Sequence, residues 1–398
     1  METLHIVLES LPLPAWAASL DLKDAYLHVP IVERHRPFLR FRYLNVTFQF
    51  RSLPFGLSTA PRVFTRLVKI VAATLRKRHV RLFVYLDDWL IVGSTRAEAL
   101  AAVALTRQIA TDLGFIFNEE KGKPVPSQKP VFLGAVLDLR QGLVTPTLER
   151  IENLRACATL FMSAQSAPAV AWLRLLGLMA SMVDLIPWCR MRLRPIQLYL
   201  LSQFRPHWDP VYLLIPVLPS VIPHIHWWAQ EENLSRGLIF PRPPPTQVLT
   251  TDASNTGWGA HLGAETCAGT WSQRESTLHI NILELLAVHH ALIRFSQTVS
   301  HHHVLVRSDN STVVSYINRQ GGTRSPRLCM FVWDVLSWCI AHDVSLTAVH
   351  LPGELNTVAD ALSRGKILPT EWTLHPLVVQ AVFFRNSIAL ISTCSPQL

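Results

Sequence analysis

The chain has 398 residues, more than one hydrophobic core ordinarily organises, so two or three domains are expected. Hydrophobic residues make up 49% and charged residues 16%, which excludes a chain disordered over most of its length. Lys and Arg outnumber Asp and Glu by 37 to 28, a formal charge of +9 that suits a polyanionic partner such as nucleic acid.

The opening METLHIVLESLPLPAW has no basic segment and carries Glu2 and Glu9, so it does not resemble a signal peptide. In chain order, AASLDL predicts a strand that ends near Asp21, and STAPRVFTRLVKIVAATLRKRH predicts a helix with Pro61 in its first turn. FVYLDDWLIVG predicts two apolar strands joined by a tight hairpin, with Asp87 and Asp88 at its tip. TRAEALAAVALTRQIATDLG predicts a helix opened by a Thr95 to Glu98 capping box and closed by Gly114. This succession suits a split βαβ arrangement better than a doubly wound sheet.

Residues 141 to 240 are expected to be mostly helical, aromatic-rich and devoid of a chemical motif, serving packing and a basic face for a duplex. Within them VAWLRLLGLMASMVDLIPWC carries Arg174, Asp184 and Pro187, and prolines cut VYLLIPVLPSVIPHI, so neither predicts a membrane span. The cluster PRPPPTQ at 241 to 247 predicts a linker, because its rings and missing amide hydrogens suit neither helix nor sheet interior. Beyond it QVLTTDAS, WGAHLG and AGTWS predict strands, followed by a helix from Asn281, a strand HVLVRSD, two helices, a strand SLTAVHL and a last helix capped by Asn356. Cys157, Cys189, Cys267, Cys329, Cys339 and Cys394 form no C-x-x-C pair, which points away from a disulfide framework or zinc ribbon and toward an intracellular compartment, cytoplasmic or nuclear.

Two groups of carboxylates carry the chemistry. Asp87 and Asp88 are adjacent acids at a strand end, and Asp21 ends a second apolar strand that a sheet could set beside them. Together they would form a three-carboxylate site for a pair of Mg²⁺ ions about 3.5 to 4 Å apart, relieving the repulsion of adjacent acids. By itself Asp-Asp is also a common polar hairpin turn. Tyr26, five residues after Asp21, could be a plane against which a nucleotide sugar rests, excluding a 2′-hydroxyl, or an ordinary core aromatic. In the second group, Asp252 and Asp309 end strands while Glu284 and Asp360 lie on helices that could face them. Four acids converging on one sheet face would hold two Mg²⁺ ions for hydrolysis of an RNA phosphodiester. Any one of them alone would more often be a cap or surface charge.

Taken together, SLDLKDAYLHVPI, LPFGLSTAPRVF, YLDDWLIVG and GFIFNEEKGKPVPSQKPVFLGAVLD resemble, in order, the palm motifs of reverse transcriptases, DIRS-type retrotransposons most of all and gypsy-like and retroviral enzymes more distantly. TDAS with its Gly-Trp-Gly strand, ELLA, SDN and HLPGELNTVADALSR resemble the RNase H family. The resemblance implies an α+β chain: a reverse transcriptase palm with partial fingers (1–140), a helical thumb or connection (141–240), a linker (241–247), an α/β RNase H-like domain (248–365) and a tail at 366–398 that resembles the family for a few residues and then loses all signal, expected to be disordered or a readthrough or frameshifted end.

It further implies that Asp21, Asp87 and Asp88 hold one pair of Mg²⁺ or Mn²⁺ ions and that Asp252, Glu284, Asp309 and Asp360 hold another. Tyr26 becomes the sugar gate, Phe55, Gly56 and Tyr85 border the nucleotide, and Lys121 protonates the departing pyrophosphate, unless it is a solvated surface lysine. Phe132, Leu133 and Gly134 match the hairpin that grips the primer end. A Phe at 55, where some retroviral relatives have Gln, leaves no side-chain hydrogen bond to the nucleotide there. His350 is either part of a catalytic loop or a packed strand-end histidine, and the runs His289–His290 and His301–His303 lack the spaced partners of a metal site.

The implied function is RNA-directed DNA polymerase with ribonuclease H activity, using RNA template, DNA primer, RNA/DNA hybrid and dNTPs, within a retrotransposon polyprotein. The alternative is a truncated, non-catalytic nucleic-acid-binding relic. Family members carry basic fingers before the first palm motif, so upstream fingers or other polyprotein segments are expected to be missing ahead of Asp21.

Overall fold

The computed structural model describes residues 2–365, and the expectation of a disordered tail at 366–398 lies outside them. The chain divides after Pro243, inside the proline cluster, into two compact units.

The first unit begins with α1 (Leu4–Ser10) and β1 (Trp16–Asp21), followed by an exposed ribbon of β2 (Arg40–Tyr43) and β3 (Val46–Gln49). Helix α2 (Ala60–Lys77) comes next, with Pro61 in its first turn as expected. Its buried positions Phe64, Val68, Val71, Ala72 and Leu75 share one helical face, and Arg76 and Lys77 suit the negative end of the helix dipole. Then come β4 (Arg81–Tyr85), β5 (Asp88–Gly93), α3 (Arg96–Asp112) and β6 (Lys123–Ser127).

These strands form one sheet in the order β4-β5-β1-β6. Strand β5 is antiparallel to both β1 and β4, so β1 and β4 run the same way with β5 between them. This is the split βαβ arrangement expected from the sequence. Its core sets Phe64, Val68 and Leu75 of α2 against Leu20, Leu82, Trp89 and Ile91 of the sheet. The Thr95 cap forms, accepting from the Glu98 amide at 3.1 Å, but the Glu98 carboxylate reaches the Ser94 amide, one residue earlier than the capping-box pattern implies.

The rest of this unit is less purely helical than its composition suggests. Strands β7 (Val131–Phe132), β8 (Ala135–Asp138) and β9 (Leu143–Pro146) precede helix α4 (Leu148–Ser163). Strand β10 (Ser166–Pro168), helices α5 (Ala169–Ala180) and α6 (Cys189–Gln203), β11 (Leu214–Pro216), α7 (Ile222–Trp227), α8 (Glu231–Leu234) and β12 (Leu238–Ile239) follow. β12 returns to pair with β9 in the sheet β12-β9-β8-β7, and β10 pairs with β11. Two- and three-residue strands are too short for an alternating pattern to reveal. No helix among the described residues is long and apolar enough to cross a membrane.

The second unit contains β13 (Gln247–Ala253), β14 (Gly257–Leu262), β15 (Glu265–Thr270), α9 (Ile280–Arg294), α10 (Ser296–Val299), β16 (His303–Ser308), α11 (Ser311–Asn318), α12 (Pro326–Ala341), β17 (Ser345–His350) and α13 (Thr357–Ser363). Its sheet runs β15-β14-β13-β16-β17, antiparallel among the first three strands and parallel thereafter. β15 starts three residues before the expected Ala268, because a two-residue turn at Gly263 pairs Leu262 with Glu265. β13 is central and buried from Leu249 to Ala253, while its parallel pairing with β16 sends the C-terminal ends of both strands the same way.

Candidate active sites

In the first unit the sheet register assembles the site. Asp21, the last residue of β1, lies opposite Asp88, the first residue of β5. Asp88 is also paired with Tyr85, so the hairpin tip is the two-residue turn Leu86–Asp87, and Asp88 stands at the strand start instead of the tip. Leu86 has φ of 55°, a costly conformation for a side-chain-bearing residue, and its carbonyl accepts a hydrogen bond from the buried Trp89 indole at 3.2 Å.

Burial and the Asp87 and Asp21 charges push the Asp88 carboxyl up to about 6. Burial and Asp87 also raise Asp21, opposed by Lys121, by a hydrogen bond from Asn118 and by one shared with Asp88. That shared bond lowers Asp21 and raises Asp88. The three carboxylates repel one another across the sheet end, although, among the described residues, their oxygens do not all lie within 4.8 Å of one another, and the site is short of positive charge.

A cleft of about 430 Å³ opens over these acids and is lined by Asp21, Asp87 and Asp88, by Lys121, and by Phe132, Leu133 and Gly134. Leu133 and Gly134 form the turn between β7 and β8, with φ of 50° and 70°, the double positive values of a type I′ hairpin. Phe132 is 2% exposed and anchors that hairpin in the core. Tyr26 packs between Phe55 and Phe64 at centroid distances of 5.0 and 5.6 Å, and burial, Asp87 and Tyr85 raise its hydroxyl. Phe55 is 60% exposed and Gly56 has φ of 85°, a loop conformation suited to glycine.

Sequence reasoning passed over Asn118. Its side-chain oxygen accepts from the amides of Glu120 and Lys121 at 3.2 and 3.3 Å, shaping the loop that carries Lys121 while its amide serves Asp21. The signal was present in Asn-Glu-Glu-Lys, since Asn followed by two free amides is the start of an Asx turn.

The second unit gathers Asp252, Glu284 and Asp309 so that one oxygen of each lies within 4.8 Å of the others, the one such group among the described residues. Asp252 comes from β13, Asp309 follows β16 and Glu284 comes from α9, packed on the sheet. Asp252 and Glu284 are 4% and 5% exposed. Burial drives Glu284 up to about 9, with help from Asp252 and Asp309. Burial drives Asp252 to about 6, opposed by a hydrogen bond from Ser363 and reinforced by Asp309 and Asp360.

Glu284 Oε2 is buried with no hydrogen-bond partner. An orphaned carboxylate oxygen facing two other acids is the donor set of a divalent cation, so these residues fit a bound metal.

Asp360 does not join this group. Its carboxylate is taken by Arg364 Nε at 2.5 Å, although it is near enough to raise Asp252. Asn356 occupies the cap position of α13, yet its side chain does not cap: Nδ2 donates to Thr251 O and to Asp252 Oδ1, both at 3.2 Å. The expected cap is therefore a support for Asp252, since a residue 2% exposed beside an acid satisfies that acid first. Ser363 donates to Asp252 Oδ2 at 2.5 Å. These contacts need α13 close to the sheet, and Gly259 permits it, because a Cβ there would meet Leu362 Cβ and lie 2.5 Å from Ala359 O.

The histidines are otherwise engaged. His301 pairs with Asp343 at 3.1 Å, His302 contacts Ser300 O, His303 contacts Thr347, and His290 stacks on Trp258 and pairs with Glu275. His350 is exposed at the end of β17, in register with Ser308.

Comparison with known proteins follows the same division. Residues 2–137 match the family model of reverse transcriptase (RNA-dependent DNA polymerase), and residues 243–333 that of the RNase H-like domain found in reverse transcriptase. The chain is homologous to caulimovirus enzymatic polyproteins: it is 24% identical over 359 residues to that of figwort mosaic virus (strain DxS) and 26% over 364 residues to that of cauliflower mosaic virus (strain Strasbourg). In both cases 87% of this chain is covered, and the chain spans about half (50%) of the relative's length. Among solved structures it is similar to a foamy viral protease-reverse transcriptase in complex with RNA/DNA hybrid, with a TM-score of 0.53 and 14% identity over 95% of this chain and 49% of that one. Another foamy viral protease-reverse transcriptase, in complex with double-stranded DNA, gives 0.51 and 15% over 86% and 58%. The fold is that of a reverse transcriptase domain followed by an RNase H-like domain.

Proposed function

We propose that this chain, a reverse transcriptase domain joined to an RNase H-like domain, copies an RNA template into DNA from a DNA primer and dNTPs and cleaves the RNA strand of the hybrid it makes. The observation that carries the reading is the pair of independent acidic centres, one in each matched domain, each deficient in positive charge. Asp21, Asp87 and Asp88 would hold two Mg²⁺ or Mn²⁺ ions, and Asp252, Glu284 and Asp309, with Asp360 as a fourth, would hold two more. Bound there, the metal supplies activation of the attacking oxygen and stabilisation of developing charge on the phosphoryl group.

The chain's own residues do the rest. Tyr26, backed by Phe64 and capped by Phe55, offers a rigid aromatic surface beside Asp87 for a deoxyribose, and rejects a 2′-hydroxyl by contact. Lys121 stands in the cleft beside Asp21 and Asp88, where its ammonium can give a proton to pyrophosphate. The Leu133–Gly134 turn borders the same cleft and would hold the primer end. Motif wording supports a DIRS-type lineage, and cysteines without a C-x-x-C pair support an intracellular setting.

Primer extension on an RNA template with Mg²⁺ or Mn²⁺, with Asp87→Ala as control, tests the polymerase. Cleavage of RNA in an RNA/DNA hybrid, with Asp252→Ala as control, tests the nuclease. Extension absent with either metal would sink the polymerase reading and leave a nucleic-acid-binding relic.

A further inference from the structure

We propose that Arg150 forms a phosphodiester-binding subsite beneath the Leu133–Gly134 turn, through which the first unit grips the backbone of a primer strand. The proposal rests on the polymerase reading and adds to it a residue that no motif marks.

Arg150 lies in the first turn of α4, and its guanidinium packs directly against the turn: a Cβ on residue 134 would come within 2.8 Å of its Cζ and Nη2. The start of α4 is tied to the same place, since the Thr147 amide donates to Gly134 O at 3.3 Å. Gly134 is thus required twice, by its φ of 70° and by the guanidinium beneath it.

What Arg150 lacks is a counter-ion. Among the described residues no carboxylate pairs with it, whereas Arg155 on the same helix reaches Glu231. Burial alone holds Arg150 below its ordinary pKa, with no charged group named beside it. A half-buried guanidinium without an acid is costly unless an anion arrives, and a planar fork matches a phosphate better than a point charge does. Gly134, against which the guanidinium packs, lines the cleft that also holds Asp21, Asp87 and Asp88, so a strand held at the turn brings its backbone near Arg150. Those acids cannot neutralise a phosphate; Arg150 can.

The test is binding of a fluorescent DNA primer annealed to a template, measured by anisotropy across a salt series for the full chain, Arg150→Ala and Arg150→Lys. Loss of one phosphate contact should weaken binding about tenfold and make the slope of log K against log salt shallower by about 0.9. Arg150→Lys should restore the slope while recovering only part of the affinity. Equal slopes and affinities for wild type and Arg150→Ala would overturn the subsite and leave the polymerase reading standing. Weaker binding with an unchanged slope, not rescued by lysine, would reduce Arg150 to a prop for the turn and also overturn it. A wild-type chain that binds no duplex would remove both proposals together.

Discussion

The two acidic centres gather the same side chains by opposite means. In the first unit backbone register does the work: Asp21 and Asp88 face each other across antiparallel strands, Asp87 sits in the adjoining turn, and all three are partly exposed in an open cleft. In the second unit tertiary packing does it, since a strand, a loop and a helix each bring one acid, two of them buried almost completely. The first arrangement tolerates its charge by hydration, with Asp88 raised only to about 6. The second cannot hydrate Glu284, whose orphaned oxygen waits for a cation. A centre built from register should therefore survive metal removal with its scaffold intact, and a centre built from packing should not.

The largest expected effect tests whether the centres are independent. Asp87→Ala should lower primer extension at least about 10³-fold, and Asp252→Ala should lower hybrid cleavage equally, because each removes several kcal/mol of charge stabilisation. Each should leave the other activity within about twofold. Loss of both activities from either substitution would break the comparison at its root.

The next effect is thermodynamic and separates the centres by pH. Glu284 is raised to about 9 from 4.5, so the folded protein keeps a proton that the unfolded chain has released. Its contribution to stability is full below pH 4.5 and is lost as pH rises through about 9. For Asp88 the corresponding loss runs from 3.8 to about 6. Asp252 follows that lower window too. Between pH 6 and 9 the metal-free chain should lose protection in the second unit alone. Hydrogen exchange of amides in β13 and α9, against β1 and β5, reads this directly. Mg²⁺ at a hundred times its dissociation constant should restore about 2.7 kcal/mol, and Glu284→Gln should flatten the pH dependence. Equal loss in both units would show that burial of Glu284 does not govern the difference.

This contrast also explains what could be seen in the sequence. The register-built centre was legible, because β1 is an apolar run that ends on Asp21, β4 and β5 are apolar runs joined through Asp87 and Asp88, and adjacency of strands is all the site needs. The packing-built centre was legible as acids at strand ends and on helices that could face them, but not how closely they converge: three gather, while Asp360 is held by Arg364 four residues on. Helical i,i+4 spacing could have announced that pair. Asn356 was misjudged because its cap position is a local pattern, whereas its burial beside Asp252 depends on a strand 104 residues away. Strands β10, β11 and β12 escaped because two or three residues show no period.

The smallest effect concerns the residues that support the acids. Ser363 donates to Asp252 and Asn118 to Asp21, and both hydrogen bonds favour the ionised acid. Ser363→Ala and Asn118→Ala should each weaken metal binding or activity at their own centre by about 10- to 100-fold. The two should not be equal. Asp252 also keeps Asn356, whose amide contacts Oδ1 at 3.2 Å, so Ser363→Ala removes one of two donors and should fall near tenfold. Asn118 supports Asp21 and also shapes the loop of Lys121, so Asn118→Ala should fall toward a hundredfold, and its loss should shift the pH profile of extension through displacement of Lys121. Metal titrations monitored by Mn²⁺ binding, run beside primer extension and hybrid cleavage, distinguish the cases. If Ser363→Ala proves the more damaging of the two, the packed centre is held by that one hydroxyl, and the register of the first unit needs less support than its exposed loop suggests.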